Sequence, residues 1–181
     1  MKKINEIFYS LQGEGFYTGT PAVFVRFSGC NLRCPFCDTQ HESGVMMTDD
    51  EIVTEVIKYP AKMVILTGGE PGLWVDDSLV NALHNIRMFI TIETNGTRVL
   101  PKGIDWITCS PKDKADVVLK KIDELKVVYT GQSLDIYDHY VVKHRFLQPC
   151  SNQNIQETIE CIKHHTEWRL SLQTHLLIGI R

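Results

Sequence analysis

The sequence predicts an α/β fold built on a curved, mostly parallel sheet of about six strands with few crossover helices. Three observations predict it. Short apolar runs recur along the chain, and each ends in a polar or glycine-rich turn. The early runs alternate with apolar stripes at helical spacing, which is the pattern of strand, helix and parallel strand. From Gly96 to Gln148 the runs lie too close together for long helices between them.

The elements follow in order. Ile4 to Tyr9 is apolar on alternate positions and reads as a short strand. Gln12-Gly13-Glu14-Gly15 opens a glycine-rich loop that presents a carboxylate on a permissive backbone. Ala22 to Phe27 is a near-continuous apolar run, as in a strand covered on both faces. Arg26 interrupts it and needs a partner, because an unpaired buried charge is costly. The choice is a ligand carboxylate or a strand-end ion pair. Asp38 to Gly44 is a polar loop. Thr48-Asp49-Asp50-Glu51 then reads as a capping box, and Ile52, Val53, Val56 and Ile57 form the apolar stripe of a helix. Met63 to Leu66 is a buried strand running into Thr67-Gly68-Gly69-Glu70-Pro71. Asp76 or Asp77 caps a second helix, with Leu79, Val80, Leu83 and Ile86 on its apolar face. Met88 to Ile92 is a strand that ends at Glu93-Thr94-Asn95-Gly96-Thr97. Ile104 to Thr108 is another, ending at Cys109-Ser110-Pro111-Lys112. Lys112 to Lys121 mixes Lys and Asp, and most of it reads as solvated surface. Glu124 to Val128 is a strand with charges at its start, and Arg145 to Cys150 ends a further one. Ser151 or Asn152 starts a last helix, Trp168 to Gln173 is a last strand, and Leu176 to Ile180 is an apolar tail placed to close the barrel or the site.

The 181 residues fit a single domain, 1–181, able to bury its own core. Apolar residues make up 43% and charged residues 23%, an ordinary globular balance. The net charge of −3, with no Lys/Arg cluster and no aromatic-basic patch, argues against nucleic acid as a partner. No stretch approaches the length of a membrane span. Asn5 and Glu6 interrupt what a secretion signal would need as an apolar run, so a cytoplasmic location is expected and the six cysteines read as reduced.

Three of those cysteines, Cys30, Cys34 and Cys37, lie in one loop just after a predicted strand. A closed structural zinc takes four ligands. His41 is the nearest fourth, but all four would crowd into one short segment. A four-iron, four-sulfur cluster takes one cysteine per iron, so three leave one iron open. Cys109 and Cys150 stay open as further ligands, whereas Cys161 sits mid-helix and reads as a small buried hydrophobe. The cysteine loop and the turns at residues 67–71, 93–97, 110–112 and 148–149 all follow predicted strands. In a parallel sheet those ends share one edge, where active sites are built.

The Cys-x-x-x-Cys-x-x-Cys spacing resembles the cluster motif of radical S-adenosylmethionine (SAM) enzymes. Gln12-Gly13-Glu14-Gly15, Arg26 to Leu32, Cys37-Asp38-Thr39, Thr67 to Pro71, Glu93 to Thr97, Ser110-Pro111-Lys112, Glu124-Leu125-Lys126, Leu147-Gln148-Pro149 and Gln173-Thr174-His175 together resemble the 7-carboxy-7-deazaguanine synthase family. The resemblance covers nearly the whole chain. It implies a partial, reduced TIM-like barrel. It also implies the radical-mediated ring contraction of 6-carboxy-5,6,7,8-tetrahydropterin to 7-carboxy-7-deazaguanine, with loss of ammonia, in queuosine and deazapurine biosynthesis. The implied cofactors are a 4Fe-4S cluster on Cys30, Cys34 and Cys37, SAM, and Mg²⁺ with Thr39 as a ligand. Phe36, Gly68, Gly69, Glu70, Ser110, Lys112 and Gln148 are the implied SAM contacts. Gln12, Glu14, Arg26, Glu93, Asn95 and His175 are the candidates for the substrate, whose flat ring offers donor and acceptor edges. An external electron donor such as flavodoxin or ferredoxin is implied. A homodimer is expected on physical grounds, since missing helices leave apolar faces to cover. Two other functions fit parts of the pattern: a glycyl-radical activating enzyme, and a zinc-stabilised binding module.

Overall fold

The computed structural model describes residues 1–37, 39–112 and 115–181. Asp38, part of the Cys37-Asp38-Thr39 motif, lies outside the described residues, as do Asp113 and Lys114 of the stretch expected to be solvated. The strands are β1 (Lys2–Leu11), β2 (Pro21–Phe27), β3 (Val45–Met47), β4 (Met63–Gly68), β5 (Phe89–Thr94), β6 (Trp106–Cys109), β7 (Glu124–Tyr129), β8 (His144–Pro149) and β9 (Trp168–Leu170). The helices are α1 (Asp49–Val56), α2 (Asp77–Asn85), α3 (Ile155–His164) and α4 (Thr174–Leu177).

Among the described residues the sheet has nine strands, in the order β3-β1-β2-β4-β5-β6-β7-β8-β9. This corrects the expected count of about six. From β2 to β9 the neighbours are all parallel. At one edge, β1 and β3 are antiparallel additions. The strand β3 is only three residues long and carries no alternation of its own, so its pairing with β1 was not legible. The expected shortage of crossovers is present. Among the described residues no α-helix lies between β5 and β8, where a single 3-10 turn, Asp135–Tyr137, precedes β8.

The runs of apolar residues are buried on two faces. On the helix side, Val23, Val25, Phe27, Val64, Leu66, Ile90 and Ile92 pack with Ile52, Val56, Leu79, Val80 and Leu83 of α1 and α2. On the inner side, Phe8, Ala22, Phe24, Met63 and Ile65 fill the barrel, with Tyr17 against them. Each buried Val, Leu, Ile, Phe or Met among them contributes about 1.5–3 kcal/mol. The capping box forms as expected at Thr48 and Glu51, and Asp76 is the cap of α2. Helix α3 begins later than expected. Residues Cys150–Asn152 form a 3-10 turn in which Ser151 and Asn152 both take left-handed backbone angles, and Asn154 holds the N-cap position.

The loop between β1 and β2 decides what the barrel interior contains. Hydrogen bonds between Gln12 and Thr20 (2.8 Å) and between Gly19 and Gln12 (2.7 Å) close its neck. Its tip descends into the barrel to the starts of β5, β6 and β8. There Phe16 stacks on Trp106 at 4.9 Å and lies 4.4 Å from the His144 ring, while Tyr17 meets Trp106 and Phe89 edge-on. The base of the barrel is thus plugged by aromatic rings, and the open space lies at the C-terminal ends of the strands.

Candidate active site

Two cavities meet at those strand ends. The larger, about 820 Å³, is walled by the cysteine loop and the ends of β4, β5, β6 and β8. The other, about 640 Å³, lies toward β1 and the C-terminal segment. Glu14, Thr39, Thr67, Glu93 and Gln173 line both, so they form one space in two compartments.

Cys30, Cys34 and Cys37 all face the larger compartment. The loop is held by its own backbone: Cys37 N–H donates to the Cys34 carbonyl at 3.2 Å, and Leu32 N–H donates to the Cys30 sulfur at 3.4 Å. Gly68 and Gly69 press against its root. A side chain on Gly69 would collide with the Gly29 carbonyl and Cys30, and Gly68 has φ of +129° and packs on the Phe27 backbone. The paired glycines therefore let β4 pass directly beneath the cysteine loop. Burial pushes the Cys30 thiol up, and the nearby Glu70, Cys34 and Cys37 push it further, against the Leu32 N–H. Such a set is relieved by a cationic centre. Among the described residues no three His, Cys, Asp or Glu side chains are gathered around a single ion position. A four-iron cube, which takes one thiolate per iron and spreads its ligands, fits this donor set better than a closed zinc site.

In the second compartment, the Glu93 carboxylate accepts from Thr67 Oγ1 at 2.9 Å and from Gln12 Nε2 at 3.1 Å. Lys126 pairs with Glu14 and lies 3.4 Å from Glu93. Burial raises the cost of ionising Glu93, but Lys126 and these two hydrogen bonds outweigh it and hold the carboxyl below its usual range. Burial likewise opposes the Lys126 charge, yet Glu14, Glu93 and Glu124 hold its ammonium well above the usual range. Arg26 Nε donates to Glu6 at 2.8 Å, and Glu6 also pairs with Arg181.

Comparison with known proteins gives the chain's relatives. A profile described as the radical SAM superfamily matches residues 24–169. The 7-carboxy-7-deazaguanine synthase of Bacteroides thetaiotaomicron is 63% identical over 181 residues, covering 100% of both chains. The chain belongs to the 7-carboxy-7-deazaguanine synthase family, within the radical SAM superfamily. The synthase of Bradyrhizobium diazoefficiens is 38% identical over 207 residues, covering 98% of each chain. A crystal structure of QueE from Escherichia coli matches with a TM-score of 0.81 at 29% identity, over 96% of this chain and 94% of that one.

Within this family chain, nearly every residue singled out in the sequence reaches one compartment or the other. Phe36, Gly68, Gly69, Asn95, Ser110, Lys112 and Gln148 line the larger one with the cysteines. Lys112 donates to Ser110 Oγ at 2.7 Å and lies 5.7 Å above the Phe36 ring; its burial lowers its basicity. Gln148 accepts from Ser171 Oγ at 3.0 Å. Gln12, Arg26 and His175 face the second compartment, and Thr39 sits at the junction. Asn95 is on the cysteine side, where its amide donates to Asn31 at 3.1 Å and its oxygen accepts from Thr97. Glu70 lines neither. It is fully buried behind Gly69 and accepts from Thr94 Oγ1 (2.6 Å), Asn95 N–H (2.8 Å) and Gly72 N–H (2.8 Å). Burial raises its pKa, and those three bonds oppose the rise. Its carboxylate knits two strand ends together behind Gly69.

Three site residues escaped sequence reasoning as individuals. Lys126, Thr67 and Gln173 stood inside quoted motifs without a role. For Lys126 a signal existed. In strand β7 it shares a face with Glu124, and two opposite charges on one face of a buried strand imply a common internal site.

Proposed function

We propose that this chain converts 6-carboxy-5,6,7,8-tetrahydropterin to 7-carboxy-7-deazaguanine with release of ammonia, as a radical SAM lyase in queuosine and deazapurine biosynthesis. The observation that carries the reading is the joined cavity. A three-thiol wall opens directly onto a floor of carboxylates braced by one ammonium. When bound, a 4Fe-4S cluster and SAM supply the radical that abstracts hydrogen from the substrate.

The chain's residues supply position and exclusion of water. Cys30, Cys34 and Cys37 would hold three irons. Gly68 and Gly69 offer backbone to the cofactor, with Glu70 fixing the turn behind them. Phe36, Ser110, Lys112 and Gln148 would shape the rest of the SAM pocket, and Asn95, on the same cysteine side, would meet the substrate where it approaches the cofactor. Glu14 and Glu93, both ion-paired to Lys126, would accept from the amino and ring N–H groups of the pterin. Gln12 and His175 would complete that edge. Arg26, now paired with Glu6, would meet the substrate carboxylate, and Thr39 would give a hydroxyl to Mg²⁺, a hard cation suited to oxygen ligands. Flavodoxin or ferredoxin is the class of electron donor. A homodimer would cover apolar side chains left outside, such as Val99 and Val141. Among the described residues no helix is long and apolar enough to cross a membrane, and the free thiols suit a reducing cytoplasm.

The test is anaerobic. The chain is reconstituted with iron and sulfide, then given SAM, reductant, Mg²⁺ and 6-carboxytetrahydropterin. Deazaguanine product by mass, lost in Cys34→Ala, is the expected result. Deoxyadenosine without deazaguanine would replace the substrate assignment and favour an activating enzyme. A colourless protein with one zinc per chain would overturn the radical reading altogether.

A further inference from the structure

Lys126 lines the larger compartment beside its junction with the second, its side chain 9% exposed. It stands between two carboxylates brought from distant parts of the chain. Glu14 comes from the loop after β1, and Glu93 from the end of β5. The two are not equally held. Glu93 is fixed by Thr67 and Gln12 as well as by Lys126. Glu14 lies between two glycines, and the ion pair with Lys126 is the side-chain contact that sets its direction.

The loop carrying Glu14 is also clasped from below. One Glu124 oxygen accepts from Phe16 N–H at 3.2 Å and from the Trp106 indole at 3.3 Å. Gly15 crosses the other oxygen so closely that a side chain there would strike it. Two carboxylates, Glu14 and Glu93, therefore contact one ammonium, and Glu124 adds its charge from further along the same face of β7. Without that ammonium, mutual repulsion would swing the Glu14 side chain away from Glu93 on its otherwise held loop.

We propose that Lys126 is a positioning residue that fixes the spacing of Glu14 and Glu93, and through it the enzyme's preference for a 2-amino over a 2-oxo ring edge. The inference rests on the pterin reading above. An amino group and its neighbouring ring N–H are donors, and two carboxylates at a fixed spacing accept from both. A 2-oxo edge presents an acceptor to an acceptor and is rejected, provided that neither carboxylate can swing aside.

The experiment uses the reconstituted holoenzyme with 6-carboxytetrahydropterin and its 2-oxo counterpart, 6-carboxytetrahydrolumazine. Lys126→Met removes the charge at similar volume. It is expected to raise KM for the pterin roughly a hundredfold, to leave kcat within a few-fold, and to cut the amino-over-oxo preference by at least about tenfold. Lys126→Arg keeps the charge at a different reach, so it should fold even where the Met variant does not. It should shift KM by about tenfold, with kcat preserved and the preference reduced. A variant of either kind that retains wild-type KM and preference overturns the inference. So does one that loses kcat at unchanged KM, since Lys126 would then act on the reacting atoms. A wild-type holoenzyme that does not turn over the carboxypterin would instead overturn the functional reading.

Discussion

At the scale of single residues, glycine does as much to build the site as the charged groups do. Gly15 has φ of +65°, and its α-carbon lies against the Glu124 carboxylate. Gly15→Ala should cost about 1–3 kcal/mol of stability and weaken substrate binding, because a β-carbon is strained in that conformation and displaces the loop. Chemical denaturation together with KM would measure both, and wild-type values in the variant would contradict the geometry. The cysteines separate just as sharply. Cys109 is fully buried, and burial pushes its thiol up to about 12, with Glu70 adding to the effect. Cys37 is exposed. Brief alkylation of cluster-free protein near neutral pH should label Cys37 and spare Cys109, as read by peptide mass. The cysteine motif was legible in the sequence because its chemistry depends on local spacing. Lys126 was not, because its meaning depends on Glu14 and Glu93, which only the fold brings to it.

At the scale of elements, what could be read followed pattern rather than length: ten-residue β1 was expected only as a short strand, and ten-residue α3 begins later than expected. The uninterrupted apolar runs of β2 and β4 and the capped apolar stripes of α1 and α2 lie where their patterns put them. The short pieces β3 and α4 are imposed by pairing and by the closing of the chain, and they carry no pattern to read. Helix α1 shows how local its signal is. Thr48 Oγ1 accepts from the Glu51 N–H at 3.2 Å, and Glu51 accepts from the Thr48 N–H at 2.7 Å. Thr48→Ala should cost about 1 kcal/mol in equilibrium unfolding. The Thr48 N–H and hydroxyl hold the Glu51 carboxyl below its usual range. Its contribution is therefore present above the ordinary carboxylate range and fades as pH falls through the lowered value. The Tm difference between the wild type and Glu51→Ala should shrink accordingly on acidification, and a difference that grows would refute the assignment.

At the scale of the whole molecule, among the described residues β3 and β9 are the unpaired edges of the sheet, and the C-terminal segment reaches across to β1 and the loop after it. Thr174 N–H donates to the Gly13 carbonyl at 2.9 Å, Ser10 Oγ donates to the Arg181 carbonyl at 2.5 Å, and Arg181 pairs with Glu6. His175 packs against Gly13. Shortening the chain after Gln173 should leave the sheet folded, by circular dichroism, while affinity for the carboxypterin falls; unchanged affinity would show that the tail takes no part in the site.

The descending loop has a wider consequence. One short segment carries Glu14 at the mouth and Phe16 and Tyr17 at the base, so the two ends of the barrel are mechanically one part. The underside of the molecule is then not free to drift. A change at Trp106 or His144, which line neither compartment, would reach the reaction through this lever, so selection for a new substrate has a place to act without touching a single lining residue.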